Sequence, residues 1–233
     1  MEREERLVVV TGAGKGIGTA TMHALLTDPS IRVIAVGRDL GRLELSATEE
    51  SRCERCELDL LGMDAVARIK SQVGRRRLHG LLHNAGVLDA TPMGQHQRTN
   101  LERLFAINVF VPLELSQALA PELSGDPPGH IVHVGSMGGF QDAAKFPGLV
   151  GYSSSKAALA CMAQCLAEEF KGSGIRSNCL AIGAVDTDML RTAFPGFTAP
   201  VGPADMGAYI AEFILNGHKL FNGKVLPVAV STP

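Results

Sequence analysis

The feature that most constrains this chain of 233 residues is a glycine-rich turn close to its start. Gly12, Gly16 and Gly18 follow the apolar run Leu7–Val10 and lead into residues with helical spacing at Thr19–Thr27. A strand, a tight turn and a helix in this order bring backbone N–H groups and a helix N-terminus to one point, which suits an anion. The pattern predicts a loop that binds the pyrophosphate of a dinucleotide. The alternative is a strand-to-helix turn without a ligand.

Short apolar runs alternate with segments of helical spacing along the chain. The predicted strands are Leu7–Val10, Ile31–Val36, Cys56–Leu58, Leu78–His83, His130–Val134, Ser177–Ala181 and Lys224–Val230. The predicted helices are Thr19–Thr27, Leu40–Ser51, Asp64–Val73, Leu101–Leu123, Tyr152–Lys171 and Pro203–Leu215. This alternation predicts an α/β protein whose residues 1–233 form one Rossmann-fold domain. We expect a doubly wound parallel sheet of about seven strands with helices on both faces.

Composition narrows the classes of partner. A formal net charge of −2 with 20% charged residues favours neither a nucleic-acid surface nor a membrane surface. We find no apolar stretch near the roughly 20 residues that cross a bilayer, and the first residues are charged, so we expect a cytoplasmic protein. The short run Arg75–Arg77 is interpreted as a solvated segment.

The five cysteines are interpreted as reduced structural thiols. Cys53 and Cys56 lack a second pair or a histidine at zinc spacing, so no metal site is expected. Cys161 and Cys165 lie one helical turn apart and are interpreted as small packing residues.

A phenol, an amine and a hydroxyl form the candidate catalytic set. Tyr152 and Lys156 are separated by one helical turn, which places both on one helix face. A nearby cation favours phenolate and would adapt a tyrosine to proton transfer near neutral pH. Ser136 follows the strand His130–Val134, where its hydroxyl can bond a substrate carbonyl. The structural alternatives are an exposed Tyr–Lys pair and a serine that caps the strand.

Asn84, Ala85 and Gly86 end the strand Leu78–His83, where glycine lets the backbone approach a ligand closely. A plain turn is the alternative.

In chain order these motifs resemble the compact, single-domain branch of the short-chain dehydrogenase/reductase family, from about Leu7 to Pro227. The elements that carry the resemblance are Thr11-Gly12-x-x-x-Gly16-x-Gly18, Asn84-Ala85-Gly86, Asn108, Ser136, Tyr152-x-x-x-Lys156 and Ile182-Gly183-x-Val185-x-Thr187.

The resemblance implies hydride transfer between a nicotinamide cofactor and a carbonyl or alcohol substrate. It implies that Tyr152 protonates the alkoxide oxygen during reduction while Ser136 orients the carbonyl. Lys156 would hold the ribose hydroxyls and lower the tyrosine pKa, and Asn108 would position a water beside Lys156. The predicted cofactor contacts are Gly12, Lys15, Gly16, Ile17, Gly18, Arg38, Asp59, Leu60, Asn84, Ala85, Gly86, Tyr152, Lys156, Gly183, Val185 and Thr187.

The end of the second strand bears on which dinucleotide binds. Gly37 stands where an NAD-selecting acidic residue would bond the ribose 2′-hydroxyl, and Arg38 is the next residue. A guanidinium can clamp a 2′-phosphate, helped by Lys15. The sequence therefore favours NADP(H) over NAD(H). If Asp39 rather than Arg38 faces the ribose, the preference is reversed.

Three residues depart from the family pattern. His83 and His133 stand where asparagine is common and are interpreted as strand residues, and Ile182 replaces a proline. The interval from Ser136 to Tyr152 is a few residues longer than in many members, which changes the rim of the pocket.

Residues 188–202 are predicted to form a short apolar lid over the substrate. The resemblance favours reduction of a small-molecule carbonyl, with 3-oxoacyl thioesters preferred and pteridine (sepiapterin-like) ketones or other ketones and aldehydes as alternatives. Two alternatives come from other functional classes: a catalytically silent regulator that binds a dinucleotide, and an interaction protein that has inherited the fold.

The resemblance also implies a homotetramer or homodimer, paired through the helices Leu101–Leu123 and Tyr152–Lys171.

Overall fold

Parallel strands form the centre of the computed structural model, which describes residues 5–231. The strands are β1 Arg6–Thr11, β2 Ile31–Gly37, β3 Cys53–Glu57, β4 Leu78–His83, β5 Gly129–Val134, β6 Ile175–Ile182 and β7 Val225–Val228. They form one sheet in the order β3-β2-β1-β4-β5-β6-β7, and all six pairings are parallel. The predicted fold is confirmed. Because the strand order reverses at β1, the crevice beyond the ends of β1 and β4 is where such a sheet binds ligands.

Helices cover both faces of the sheet. They are α1 Gly16–Leu26, α2 Ala47–Glu50, α3 Ala65–Val73, α4 Arg98–Phe105, α5 Val111–Leu123, α6 Val150–Glu169, α7 Asp188–Ala193 and α8 Pro203–Asn216. Successive side chains of β1 point to opposite faces of the sheet, so the hydrophobic core has two layers. Val8 and Val10 pack in the layer with α1 and α8. Val9 packs in the layer with α3 and α5. The loops at the carboxyl edge are therefore held between two packed layers.

The predicted helix Leu40–Ser51 is wrong for most of its length. Only Ala47–Glu50 is helical, and it begins at a capping box in which Ser46 and Glu49 satisfy each other's backbone N–H groups. Leu40 is buried instead, and its N–H donates to the Glu57 carboxylate at 3.1 Å. The side chain of Leu40 fills the space above Gly37, where a Cβ would lie 2.9 Å from it.

The segment Arg98–Leu123 corrects the statement that no apolar stretch is long enough to cross a bilayer. It is a 26-residue run of α4, a π-helical turn at Ala106–Phe110 and α5, and it passes a length-and-composition test for a membrane-spanning helix. Leu115, Leu119 and Leu123 of α5 are fully buried in the core layer that also holds α3. The apolar character of α5 thus has a structural role within this domain.

The cysteines divide into buried and exposed positions. Cys53 and Cys56 of β3 are buried free thiols, and burial raises the pKa of both. Cys161 and Cys165 are exposed, so their interpretation as packing residues is wrong. The reason is the rotation of α6, which buries Leu159 and turns these cysteines away from the sheet.

Candidate active site

The glycine-rich turn is fixed by contacts with the end of β4. Asn84 Nδ2 donates to the carbonyls of Thr11 and Gly12 at 3.0 and 3.1 Å, and Thr11 Oγ1 accepts from the N–H groups of Asn84 and Ala85 at 3.1 Å. A Cβ on Gly18 would lie 2.1 Å from the Gly12 carbonyl oxygen. Gly18 therefore permits the start of α1 to pack on the turn. The Asn84 amide supports the turn, and Thr11, which begins the glycine-rich motif, shares this role.

The hydroxyls of Ser136 and Tyr152 lie in one cavity although 16 positions separate them in the sequence. Ser136 caps a short 3₁₀ turn after β5, and its Oγ accepts from the N–H of Gly138 at 3.1 Å. Burial raises the pKa of Tyr152, against a lowering by its hydrogen bond with Ser136. The phenol therefore keeps its proton at neutral pH, as a proton donor requires.

Lys156 lies beneath this pair. Its Nζ donates to the Val134 carbonyl at 2.8 Å and lies 6.0 Å from the centre of the Tyr152 ring. Burial lowers the pKa of Lys156 to about 8, so the amine is still largely charged at neutral pH. Burial of the phenol is the largest effect on the pKa of Tyr152, and the lowering by Lys156 that the resemblance implies stays a prediction.

Asn108 lies in the π-helical turn between α4 and α5, a distortion that often marks a functional site. Its amide pairs with both backbone groups of Val87 and donates to Ser155 Oγ, all at 3.0 Å. A Cβ on Gly86 would lie 3.3 Å from Asn108 Oδ1 and 3.4 Å from Lys156 Nζ. Asn108 Oδ1 and Lys156 Nζ thus both lie beside Gly86. The contact of Asn108 with a water stays a prediction.

The cavity has a volume of about 120 Å³ and connects the two hydroxyls with predicted cofactor positions. Ile17, Gly183, Val185 and Thr187 all line it. Thr187 also caps α7 by accepting from the N–H of Leu190 at 3.3 Å. The other lining residues are Leu88, Met137, Gly138, Phe146, Leu149, Ile182, Ala184, Met189, Leu190 and Phe194.

The sequence predicted part of this lining. Met189 and Phe194 belong to the expected apolar lid, which the structure forms partly as helix α7. Leu88, Met137 and Phe146 were missed. Leu88 and Phe146 lie in irregular segments and Met137 lies in a short 3₁₀ turn, where no periodicity of the sequence shows which side chains face the cavity.

The predicted cation site for a 2′-phosphate lies beside the turn. Arg38 and Lys15 are exposed at the end of β2 and at the start of α1. A Cβ on Gly14 would lie 2.5 Å from the Asp39 carbonyl oxygen, so the two segments touch. The Asp39 carboxylate faces Arg42 at 3.4 Å.

Asp59, the predicted adenine contact, follows β3, and Leu60 beside it is partly buried. Asp59 Oδ1 accepts from the N–H of Leu61 at 3.0 Å, which stabilises the turn after the strand. The structure therefore gives Asp59 a local role at the carboxyl edge, and its contact with adenine stays a prediction.

Comparison with known proteins agrees with this geometry. Residues 6–196 match the family model described as short chain dehydrogenase. This chain belongs to the short-chain dehydrogenase family. The resemblance stated from the motifs is thereby confirmed. The protein is an oxidoreductase of alcohol and carbonyl groups whose family binds a nicotinamide dinucleotide.

Individual relatives show how broad this short-chain dehydrogenase family is. The chain is 32% identical over 197 residues to 2,3-dihydro-2,3-dihydroxybenzoate dehydrogenase of Escherichia coli K12, covering 82% of this chain and 74% of the relative. It is 34% identical over 185 residues to carbonyl reductase (NADPH) 2 of Sus scrofa, covering 79% and 73%. A solved short chain dehydrogenase from Shigella flexneri 2a complexed with NADP has a TM-score of 0.82 at 29% identity, covering 96% and 97%.

Proposed function

We propose that this short-chain dehydrogenase is an NADP(H)-dependent reductase of small-molecule carbonyl compounds. The observation that carries the proposal is the single cavity that holds both the Ser136 and Tyr152 hydroxyls and the segment Gly183–Thr187. Lys156 lies buried next to the phenol.

The glycine-rich turn fits a dinucleotide pyrophosphate. Gly12 and Gly16 have φ values of 68° and 57°, in the left-handed region that favours glycine. The N-cap residue Lys15 makes no side-chain capping bond, so the first N–H groups of α1 are left for an anion. NADP(H), when bound there, would supply or accept the hydride.

The protein's own residues would orient the substrate and move a proton. The Ser136 hydroxyl would donate to the carbonyl oxygen and so hold it beside the Tyr152 phenol. The Tyr152 O–H would deliver its proton to that oxygen as negative charge develops on it. The charged Lys156 amine would stabilise the phenolate left behind.

Arg38 and Lys15 support a preference for NADP(H). Since Asp39 is paired with Arg42, the carboxylate that favours a 2′-hydroxyl is engaged elsewhere while Arg38 makes no ion pair within residues 5–231. The Sus scrofa relative carries NADPH in its name, and the Shigella flexneri structure contains NADP. Both names support the same choice.

We expect Arg38→Asp to weaken NADPH binding relative to NADH by about tenfold or more, because a charge-assisted hydrogen bond is replaced by repulsion. Dissociation constants for both cofactors, measured by the fluorescence of the reduced nicotinamide, check this. Arg75→Asp is the matched control, since it makes the same change of charge at an exposed position between α3 and the start of β4, away from the glycine-rich turn. An unchanged ratio of the two constants in Arg38→Asp would remove Arg38 from the phosphate site.

The activity itself is tested with a panel of 3-oxoacyl thioesters, pteridines, quinones and simple ketones. Loss of NADPH absorbance is followed, with NADH as the comparison. Tight NADPH binding without turnover of any member would favour the silent dinucleotide-binding regulator over the reductase.

We also propose that the protein is a homo-oligomer that pairs through α5 and α6. Phe110 and Leu113 at the start of α5 are 52% and 42% exposed, and Val150 of α6 is 49% exposed. Side chains of this size are usually covered when they cluster. Phe110→Asp should therefore lower the molar mass measured by light scattering to that of one chain. Met63→Asp, at a fully exposed position between β3 and α3, should not.

A further inference from the structure

The active-site cavity is separated from a second, larger space by a thin wall. The outer groove lies between the loop after β5, helix α6 and the start of β7, and it encloses about 910 Å³. Three residues line both the outer groove and the active-site cavity, namely Gly138, Phe146 and Leu149. Since glycine has no side chain and Leu149 is buried, the partly buried Phe146 is the large side chain that lies between the two spaces.

Phe146 is held in place from several sides. Its ring meets the ring of Phe194 edge to face, with centroids 5.5 Å apart at 77°. Lys145 Nζ donates to the carbonyls of Phe140 and Ala143 at 2.6 and 2.8 Å, which folds the loop back on itself. The loop is also tied to its neighbour, because the N–H of Thr91 donates to the Gly148 carbonyl at 2.9 Å. These contacts hold Phe146 across the end of the active-site cavity.

The inner cavity is uncharged. Along the described residues that line it, the polar side chains are the hydroxyls of Ser136, Tyr152 and Thr187. Lys145 lines only the outer groove, and Arg191 of α7 pairs with carboxylates on its own segment. An anionic group placed inside would lose its hydration without gaining a partner, which is strongly unfavourable.

We propose that Phe146 determines substrate specificity by closing the far end of the pocket, so that the protein acts on short, uncharged carbonyl compounds. The inference rests on the proposed carbonyl reductase function and narrows its substrate class. A substrate would place its carbonyl oxygen at the hydroxyls of Ser136 and Tyr152. Its apolar group would then lie against the rings of Phe146 and Phe194. The cavity of about 120 Å³ is smaller than the roughly 150 Å³ that encloses a benzene ring, and it would also border the nicotinamide at Gly183–Thr187, so it leaves room only for a small apolar group. Longer chains would need the volume beyond Phe146.

Chain length is the direct test. The ratio kcat/KM is measured with NADPH for methyl ketones whose alkyl group grows from ethyl to nonyl, and for a keto acid matched to a short member. For the wild-type protein we expect kcat/KM to fall once the chain exceeds the cavity, and the keto acid to react at least about tenfold more slowly. In Phe146→Ala the long ketones should gain about tenfold relative to the short ones, because the chain can enter the outer groove.

Leu88→Ala is the control. Leu88 lines the inner cavity but not the outer groove, so its truncation enlarges the cavity without opening the wall and should bring no selective gain for long chains. Thermal unfolding of both variants checks that they are folded. An equal gain in Leu88→Ala would indicate general loosening and would overturn the proposal, as would a length profile that Phe146→Ala leaves unchanged.

A binding measurement tests the inference about Phe146 independently of the proposed carbonyl reductase function. The corresponding alcohols are titrated calorimetrically into the wild-type protein and Phe146→Ala in the presence of NADP. If no ketone is reduced, the carbonyl reductase function fails, yet selectively tighter binding of long alcohols to Phe146→Ala would still support the wall. If Phe146→Ala and the wild-type protein also bind the long alcohols equally well, the inference about Phe146 fails, whether or not the protein reduces ketones.

Discussion

Tyr152→Phe should lower kcat for carbonyl reduction by about 10²–10⁴-fold while leaving the dissociation constant of NADPH nearly unchanged. The substitution removes only the phenolic O–H, the group that we assign to deliver a proton to the substrate oxygen. The ring that packs in the pocket remains, so the cavity keeps its shape. Because the pKa of Tyr152 is raised, the wild-type phenol holds this proton at neutral pH and the loss is expressed there in full. Single-turnover oxidation of bound NADPH measures the effect.

The chain offers a matched control for this prediction. It contains two tyrosines, and Tyr209 lies 43% exposed on α8, stacked on Phe213. Tyr209→Phe removes the same atom from the surface, so turnover should match that of the wild-type protein. Wild-type turnover by Tyr152→Phe would show that another group donates the proton.

The parts of the site that the sequence predicted are those fixed by short-range chemistry. The turn at Gly12 needs a left-handed backbone, and the Tyr152–Lys156 pair needs only one helical turn to share a face. Strand β4 was predicted at its observed bounds because a buried parallel strand is a continuous apolar run between polar breaks. Where a single turn or a single strand determines the local geometry, the sequence is sufficient to predict that geometry.

Other parts depend on contacts between distant segments. The Asn84 amide supports the glycine-rich turn because β4 pairs with β1 in the sheet. The glycine motif does not by itself show which strand lies beside β1. The rotation of α6 that exposes Cys161 depends on its packing against β6. Helix α2 is an instructive case, since Ser46 and Glu49 have the spacing of a capping box, whereas the sequence analysis began this helix at Leu40.

The two departures from the family pattern at His83 and His133 belong to a buried group of three histidines. His83 lies in β4, His130 and His133 lie in β5, and all three are at most 3% exposed. The rings of His83 and His133 stack with centroids 4.9 Å apart. Nδ1 of His133 has no hydrogen-bond partner among the described residues. Two stacked imidazoles without a counter-charge are compatible with the neutral state only.

His130 is neutral for a different reason. Its Nδ1 is 3.1 Å from the Ile214 carbonyl, so this nitrogen carries the hydrogen, and its Nε2 accepts from the Asn178 amide at 2.9 Å. A second proton would have to displace that amide. Burial accordingly lowers the pKa of His83 and of His130 to about 3, and burial together with the neighbouring histidines and Lys156 lowers the pKa of His133 well below its usual range.

We therefore expect the free energy of unfolding to fall by about 4 kcal/mol between about pH 7.5 and 5.5. In the unfolded chain each histidine binds a proton near pH 6.5, whereas the folded protein keeps all three neutral until far lower pH. Their contribution is complete above pH 6.5 and is lost as the pH falls toward the folded pKa values. Urea unfolding followed by circular dichroism at both pH values measures this change.

His133→Asn should reduce that loss by about one third, since one of three equal proton uptakes of about 1.4 kcal/mol disappears. The smaller side chain will also lower stability at every pH by leaving space in the core. His23→Asn, which removes a histidine at the surface beside Glu49, should leave the three buried uptakes in place. Because the comparison is between two pH values within each variant, a uniform packing loss cancels. Equal stability of the wild-type protein at both pH values would mean that these histidines are protonated in the fold, and that the stacked pair has a counter-charge the present geometry does not provide.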